Sequence, residues 1–197
     1  MQVESLPRSN KLRSSQMRTR LLNAARALFV ETGFVATSTP AIVNAAGTTR
    51  GALYHHFADK KAIFSAVIDA EAQQVAQAIE DADEPQMGAM DRLLAGIEGY
   101  LRAMAVPGRT RLLLIDGPVI LGRKALGEID ARHGDESLRV GLQEAMASGD
   151  LTQLPIAPLT SMLSAMFERA AIDLSEGEPQ EDYLGVARAI IAGLAQV

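Results

Sequence analysis

The chain has 197 residues, of which 48% are hydrophobic and 22% charged, and its formal net charge is −5. This balance is that of a globular protein, long enough for one large domain or two small ones. Cysteine is absent from the sequence, which excludes disulfides, thiolate catalysis, cysteine-ligated zinc and iron–sulfur clusters.

No apolar stretch approaches the roughly 20 residues that a membrane-spanning helix needs. The first 20 residues contain five Lys or Arg and no apolar core of signal-peptide length. We therefore expect a protein of the cytoplasm.

The charge is distributed unevenly along the chain. Residues 1–60 contain eight basic and three acidic side chains, a net charge of +5, whereas residues 61–197 contain 11 basic and 21 acidic ones, a net charge of −10. A basic N-terminal part joined to an acidic remainder indicates that the N-terminal part binds a polyanion.

Apolar residues recur with helical spacing through most of the chain, which predicts an all-α fold. A first helix is expected over residues 15–32, ended by Gly33. A short second helix starts at Thr39 as N-cap and Pro40, and stops at Gly47. Thr48 and Thr49 then cap a short third helix over residues 50–56, and Asp59 caps a long fourth one.

The remaining helices are separated by glycine and proline. A fifth helix carries the apolar positions from Met90 to Met104, and a short apolar piece follows over residues 109–116. Gly117 and Pro118 predict a turn, and residues 119–148 predict one long helix with weak points at Gly122, Gly127 and Gly134. Two final helices are expected over residues 159–175 and 181–196.

The second and third helices form the pattern of a helix-turn-helix. Gly47 permits the positive φ that the tight turn requires, and Thr49 can cap the third helix and bind a phosphate. Arg50 and Gly51 lie in the first turn of that helix, where they can approach base edges or phosphates in the major groove.

Residues 37–64, TSTPAIVNAAGTTRGALYHHFADKKAIF, resemble the signature of the tetracycline-repressor-like (TetR) family of transcriptional regulators. The resemblance extends from Arg18 to Phe64. It implies that Tyr54 and His56 contact the DNA backbone and groove, and that Lys60 clamps a phosphate. The complete predicted DNA-binding set is Ser38, Thr39, Thr49, Arg50, Gly51, Tyr54, His55, His56 and Lys60.

The resemblance further implies three regions. Residues 1–14 form a flexible basic arm, residues 15–64 a helix-turn-helix DNA-binding domain, and residues 65–197 a helical domain for ligand binding and dimerisation. The side chains expected to line the ligand cavity are Ile97, Tyr100, Met104, Leu112, Ile115, Asp116, Val119, Ile120, Met162 and Met166. Because these walls are mostly apolar, we expect a hydrophobic effector, neutral or weakly basic, with Asp116 or Tyr100 orienting it.

The last two predicted helices each present an apolar face, and two such helices from each of two subunits would form a four-helix interface. The predicted homodimer contacts are Leu159, Met166, Phe167, Ala170, Leu184, Ala187, Ile190, Ile191 and Leu194.

The leading interpretation is a homodimeric repressor that binds palindromic operator DNA and is released by a small molecule, with no metal and no cofactor. No nucleophile-elbow pattern occurs, and residues 117–124 lack the Lys-Ser/Thr of a phosphate-binding loop, so we do not expect an enzyme. The alternative is an all-helical ligand-binding protein or enzyme whose basic N-terminal part is incidental.

Overall fold

A computed structural model describes residues 7–84, 86–133 and 137–195 of the chain, with side chains from Lys11 onward. Over these residues the fold is all-α, as predicted, with ten α-helices, one π-helical segment and no strand. The α-helices are α1 (Pro7–Ala36), α2 (Thr39–Ala45), α3 (Arg50–His56), α4 (Lys60–Glu80), α5 (Ala89–Met104), α6 (Gly117–Leu121), α7 (Arg123–His133), α8 (Ser137–Ala147), α9 (Ile156–Ser175) and α10 (Gln180–Ala192). The π-helical segment is Arg111–Asp116.

The chain divides into two compact units within α4, an N-terminal unit of Met1–Ile68 and a C-terminal unit of Asp69–Val197. The N-terminal unit is built around three phenylalanine rings. Phe29 and Phe34 of α1 each lie with their ring centroids 5.2 Å from that of Phe64 on α4, in edge-to-face geometry. Leu53 of α3 and Ile42 of α2 are fully buried in the same unit, so each short helix contributes an apolar anchor to its core.

The first helix is longer than predicted. It begins at Pro7 rather than at residue 15. Residues 7–14, which were expected as part of a flexible arm, are therefore helical. Residues 1–6 lie outside the described part of the chain. Gly33, which was predicted to stop this helix, interrupts it with a φ of 80°. The Thr37 hydroxyl donates to the Gly33 carbonyl over 2.7 Å and closes the last turn.

Most predicted caps of the short helices are confirmed. The Thr49 hydroxyl accepts from the Ala52 amide over 3.2 Å, and the Asp59 carboxylate accepts from the Ala62 amide over 2.7 Å. The prediction for α2 was wrong by one residue, because Ser38 rather than Thr39 is the N-cap and accepts from the Ala41 amide. The Thr39 hydroxyl is thereby left for another contact.

The C-terminal unit differs from the sequence prediction between residues 109 and 148. Gly117 and Pro118 begin helix α6 rather than a turn, directly after the π-helical segment. The predicted long helix breaks at Gly122, whose φ is 85°, but Gly127 lies inside α7 without a break. Gly134 lies outside the described residues. The last helix ends at Ala192, four residues earlier than predicted.

The core of the C-terminal unit joins α5, α8, α9 and α10. Its buried members are Leu93, Ile97, Leu101, Leu142, Ala145, Met146, Leu151, Leu163, Phe167, Ala170, Ala187 and Ile191. Beside it lies a buried ion pair between Arg109 and Glu71, whose side chains are 5% and 2% exposed. Together these contacts connect α4 with the segment between α5 and the π-helical residues.

Candidate nucleic-acid interface

Helix α3 has one buried and one exposed face. Leu53 and Phe57 are 0% and 4% exposed and attach the helix to the core of the N-terminal unit. Arg50, Tyr54 and His55 are exposed. The seven-residue helix therefore presents a basic and aromatic surface above an apolar base.

The Tyr54 ring lies between the beginnings of α2 and α3. Its hydroxyl is 3.5 Å from the Thr39 hydroxyl, and either oxygen can be the donor. The hydrogen bond with Thr39, followed by that with Arg50, lowers the pKa of Tyr54 below its usual value. The structure thus brings three predicted site residues together and holds the exposed phenol at the N-terminal side of both helices.

The two histidines end α3 and differ in environment. Their rings are in edge-to-face contact with centroids 5.2 Å apart. Burial, then the charges of His55 and Arg18, lower the pKa of His56. Because its ordinary pKa is already below 7, His56 is neutral at pH 7 and can act there as a hydrogen-bond donor or acceptor rather than as a cation.

Gly51 leaves the surface of α3 open. A Cβ atom at this position would meet only the Thr49 hydroxyl, at 3.9 Å, so packing within the chain does not require glycine here. Ser38 and Thr49 are also exposed, and each hydroxyl already accepts a backbone amide as a helix cap while keeping its own hydrogen. These features allow the backbone of another molecule to approach the helix beginnings closely.

Lys60, which was predicted to clamp a phosphate, contacts backbone carbonyls of its own unit. Its ammonium group donates to the carbonyls of Phe34, Thr37 and Val35 over 2.7, 2.8 and 3.3 Å. It also lies 4.3 Å from the centroid of the Phe34 ring. All three ammonium hydrogens thus have partners in the chain, at carbonyls near the end of α1, so Lys60 has a structural role there. A phosphate would have to compete with these carbonyls, and the clamp role of Lys60 stays a prediction. The sequence held no local signal for this contact, because the partners are 23 to 26 residues away.

We expect Lys60→Met to destabilise the N-terminal unit by about 1–3 kcal/mol, since three carbonyls lose a charged donor. Urea unfolding followed by circular dichroism measures the change. Lys61→Met is the matched control, because Lys61 is exposed on the same turn, and it should stay within about 0.5 kcal/mol of the unmodified chain. Equal stability of the two variants would contradict the structural role.

The predicted effector residues of the C-terminal unit separate into two groups. Ile97, Met104 and Leu112 are buried, and Tyr100 is half-buried, where burial and the charge of Glu168 raise the pKa of its hydroxyl. Val119 and Met162, in contrast, are 83% and 73% exposed. Ile115 is also exposed, whereas Ile120 and Met166 are half-buried, so a single chain encloses only part of the predicted set. Val119 lies on the solvent side of α6, Met162 on that of α9, and Ile115 on that of the π-helical segment.

Asp116 has a defined partner in the C-terminal unit. One of its carboxylate oxygens lies 3.3 Å from Nε of Arg111 at the other end of the π-helical segment. It makes no side-chain capping hydrogen bond to α6. An effector that binds this carboxylate would therefore have to compete with Arg111.

The predicted dimer contacts differ in their exposure within one chain. Phe167, Ala170, Ala187 and Ile191 are 0–8% exposed and belong to the core of a single chain. Leu159, Met166, Leu184 and Leu194 pack partly against that core. Ile190 remains 37% exposed, and the structure adds two exposed side chains on the same helices, Met162 and Val186. Helical spacing found the apolar positions but could not separate the face toward the chain's own core from the face toward solvent.

No helix among the described residues combines the length and the apolar character needed to cross a bilayer. Within the same residues, no group of three or more acidic or histidine side chains is arranged to hold a metal ion.

Two family models match the chain. Residues 21–67 match the model described as bacterial regulatory proteins, tetR family. Residues 90–196, more than half of the chain, match the model described as tetracyclin repressor-like, C-terminal domain. The first match contains α2 and α3 with their turn, and therefore nearly all of the exposed surface described above.

Individual relatives agree with these matches. The regulator UidR of Escherichia coli K12 is 49% identical over 51 residues, which is 26% of each chain, so that the chain matches about a quarter of that relative's length. The transcriptional repressor AcnR of Corynebacterium glutamicum is 28% identical over 83% of this chain and 85% of its own. A TetR-family regulator from Pectobacterium atrosepticum with a solved structure is 30% identical, covers 94% of this chain and 97% of its own, and superimposes with a TM-score of 0.67.

Proposed function

Because this chain belongs to the TetR family of DNA-binding transcriptional regulators, we propose that it is a repressor that binds a palindromic operator as a homodimer and leaves it when a small apolar effector binds. The observation that carries the proposal is the surface of α3, where Arg50, Tyr54 and His55 are exposed above the buried Leu53. In this proposal residues 15–64 are the DNA-binding domain, residues 65–197 bind effector and partner subunit, and the protein works in the cytoplasm.

The operator contacts follow from the position of each side chain on α3. Arg50 is exposed in the first turn of α3, where a guanidinium can bind a guanine edge with two hydrogen bonds. Tyr54, already paired with Thr39, offers its hydroxyl to a phosphate beside the groove. Gly51 and the capped beginnings of α2 and α3 let the DNA backbone approach. The charge of +5 on residues 1–60 supplies the non-specific attraction to the duplex.

A homodimer would explain the exposed apolar side chains of the last two helices. Met162 on α9 and Val186 and Ile190 on α10 are 73%, 58% and 37% exposed. Covering them with the same helices of a second copy removes this apolar surface from water and relates two α3 helices by a two-fold axis. Such symmetry matches a palindromic operator with half-sites about one helical turn apart.

The effector is proposed to be mostly hydrophobic, because the half-buried Tyr100 of α5 and Ile120 of α6 offer apolar surface. To release DNA it must bind more tightly to the arrangement that cannot bind the operator, since equal affinity for both would shift nothing. The junction of the π-helical segment and α6 is a suitable place for such a change, because π-helical turns are rare and frequently occur at functional sites.

Selection of bound sequences from random duplex oligonucleotides tests the proposal most directly. We expect enrichment of one inverted repeat, and release of that DNA when apolar compounds are titrated into the complex. The alternative of an all-helical ligand-binding protein or enzyme predicts no enriched sequence. Release only by a highly charged compound would contradict the proposed effector class.

We expect Arg50→Ala to weaken binding of the selected operator by about 1–3 kcal/mol and to relax its preference at one base position, because a bidentate base contact is lost. Tyr54→Phe should weaken binding by a smaller amount, since only a hydroxyl is removed. Fluorescence anisotropy with operator and scrambled duplexes measures both.

Lys124→Ala is the control for these two variants, because Lys124 is an exposed basic residue of the C-terminal unit. It should bind the operator like the unmodified chain. Unchanged affinity of Arg50→Ala would contradict the assignment of α3 as the base-reading helix.

A further inference from the structure

A side-chain contact within the N-terminal unit connects α1 to the turn of the helix-turn-helix. Nη2 of Arg20 donates to the carbonyl of Ala46 over 2.7 Å and lies 3.3 Å from the carbonyl of Gly47. These carbonyls follow the last turn of α2, where the helix dipole favours a cation. Arg20 therefore neutralises the end of α2 in the turn that leads to α3.

Gly47 makes room for this contact. Its φ of 58° is in the left-handed region, which favours glycine, and a Cβ atom built on it would lie 3.1 Å from Nη2 of Arg20. The turn is also held by its own backbone bonds, from the amides of Gly47 and Thr48 to the carbonyls of Asn44 and Val43. Glycine at this position thus serves both the turn conformation and the close approach of the guanidinium.

A second arginine of α1 contacts the C-terminal end of α3. The guanidinium carbon of Arg18 lies 4.6 Å from the centroid of the Phe57 ring. Phe57 is the C-cap of α3, and its amide donates to the Leu53 carbonyl over 2.9 Å. Arg20 therefore contacts the turn that precedes α3, and Arg18 contacts the residue directly after it.

We infer that Arg18 and Arg20 are positioning residues that hold α3 in its DNA-reading orientation from both ends, and that Arg20 acts through the Ala46 and Gly47 carbonyls rather than on a phosphate. Helix α3 has seven residues, far fewer than a helix needs to be stable alone in water. Its orientation must then come from contacts with the rest of the unit, and α1 supplies charged ones at each end. The inference rests on the proposed function.

The test compares R20M, R20K and R13M in the full-length chain, with the selected operator and a scrambled duplex over a range of salt concentrations. Arg13 is an exposed arginine seven residues before Arg20 on the same face of α1, and R13M is the matched loss of one charge. R20M should weaken operator binding about tenfold to 100-fold, as expected when a charged hydrogen bond is lost. Its binding to scrambled DNA and its salt dependence should follow those of R13M, and R20K should recover part of the operator affinity.

Hydrogen exchange of the free protein gives a readout that does not involve DNA. In R20M the amides of residues 42–54 should exchange faster than in the unmodified chain, while those of α5 stay unchanged. R18M should accelerate exchange at the C-terminal side of α3 and weaken operator binding about twofold to fivefold. If R20M loses its helical circular dichroism, hydrogen exchange of R20K is measured instead. Faster exchange confined to residues 42–54 supports the inference, and an unchanged exchange rate at these residues contradicts it.

Two results would overturn the inference. A slope of log affinity against log salt that is about 0.9 smaller in R20M than in R13M, with a parallel loss on scrambled DNA, would identify Arg20 as a phosphate contact. Operator binding and exchange both equal to the unmodified chain would show that the Arg20 contact positions nothing. If the unmodified chain selects no sequence, the proposed function fails, and faster exchange in R20M still establishes that Arg20 holds the turn.

Discussion

Ile190→Asp should convert the proposed dimer to a monomer and abolish operator binding at concentrations where the unmodified chain binds. Ile190 is 37% exposed on α10, near Val186, which is 58% exposed one turn earlier. A two-fold axis places every interface residue at the interface twice, so the variant would bury two uncompensated carboxylates. At about 2–5 kcal/mol for each unpaired interfacial charge, one carboxylate alone lowers dimer affinity by a factor of about 30 to several thousand, and the second lowers it further.

Sedimentation or light scattering at micromolar concentration measures the mass, and anisotropy measures operator affinity on the same samples. Val140→Asp is the matched control, because Val140 on α8 is 38% exposed in the chain and is not part of the proposed interface. We expect this variant to remain dimeric. A monomeric unmodified chain, or a dimeric Ile190→Asp variant, would rule out the interface formed by α9 and α10.

Glu71→Ala should destabilise the C-terminal unit by about 3–5 kcal/mol, which is the cost of leaving a buried guanidinium without its counter-ion. Nε of Arg109 donates to the Glu71 carboxylate over 2.8 Å, and both side chains are more than nine-tenths buried. The other guanidinium nitrogens donate to the Ala103 carbonyl over 2.8 Å and to the Gln74 side-chain oxygen over 2.6 Å. Removal of Glu71 thus affects a network that joins α4 to the segment after α5.

Urea unfolding followed by circular dichroism tests this expectation. Arg102→Ala is the control, since Arg102 pairs with Glu98 on one exposed turn of α5 and should contribute no more than about 0.5 kcal/mol. The double variant Glu71→Leu, Arg109→Met should recover more than half of the loss, because it removes both buried charges together. If the free energy of unfolding of Glu71→Ala lies within about 1 kcal/mol of that of the unmodified chain, the ion pair does not have the expected dominant role.

The sequence predicted the local features of the DNA-binding surface well. Thr49 and Asp59 cap their helices as expected, and Gly33 and Gly47 adopt the positive φ that interrupts α1 and forms the turn, respectively. These features depend on residues within four positions of one another, so that side-chain chemistry and helical spacing suffice to predict them. The division of α3 into a buried and an exposed face follows from the same spacing.

Basic side chains show the limit of that reasoning. Lys60 and Arg20 were both counted as charge available to a polyanion, yet in the structure they donate to backbone carbonyls 23 to 27 residues away. A charge count cannot distinguish a cation that faces solvent from one that completes a helix end. Only the packing of α1 against its neighbours brings these donors and acceptors within hydrogen-bond distance.

The apolar residues of α9 and α10 illustrate the same division. Helical periodicity identified Phe167, Ala187 and Ile190 as members of apolar faces, and the composition and caps of the chain were enough to establish its all-α class and its helix-turn-helix. Which of these side chains enters the core of one chain and which stays exposed was decided by the placement of α5 and α8 against the two helices. Burial is a property of the neighbouring elements as much as of the residue, and those neighbours are dozens of positions away along the chain.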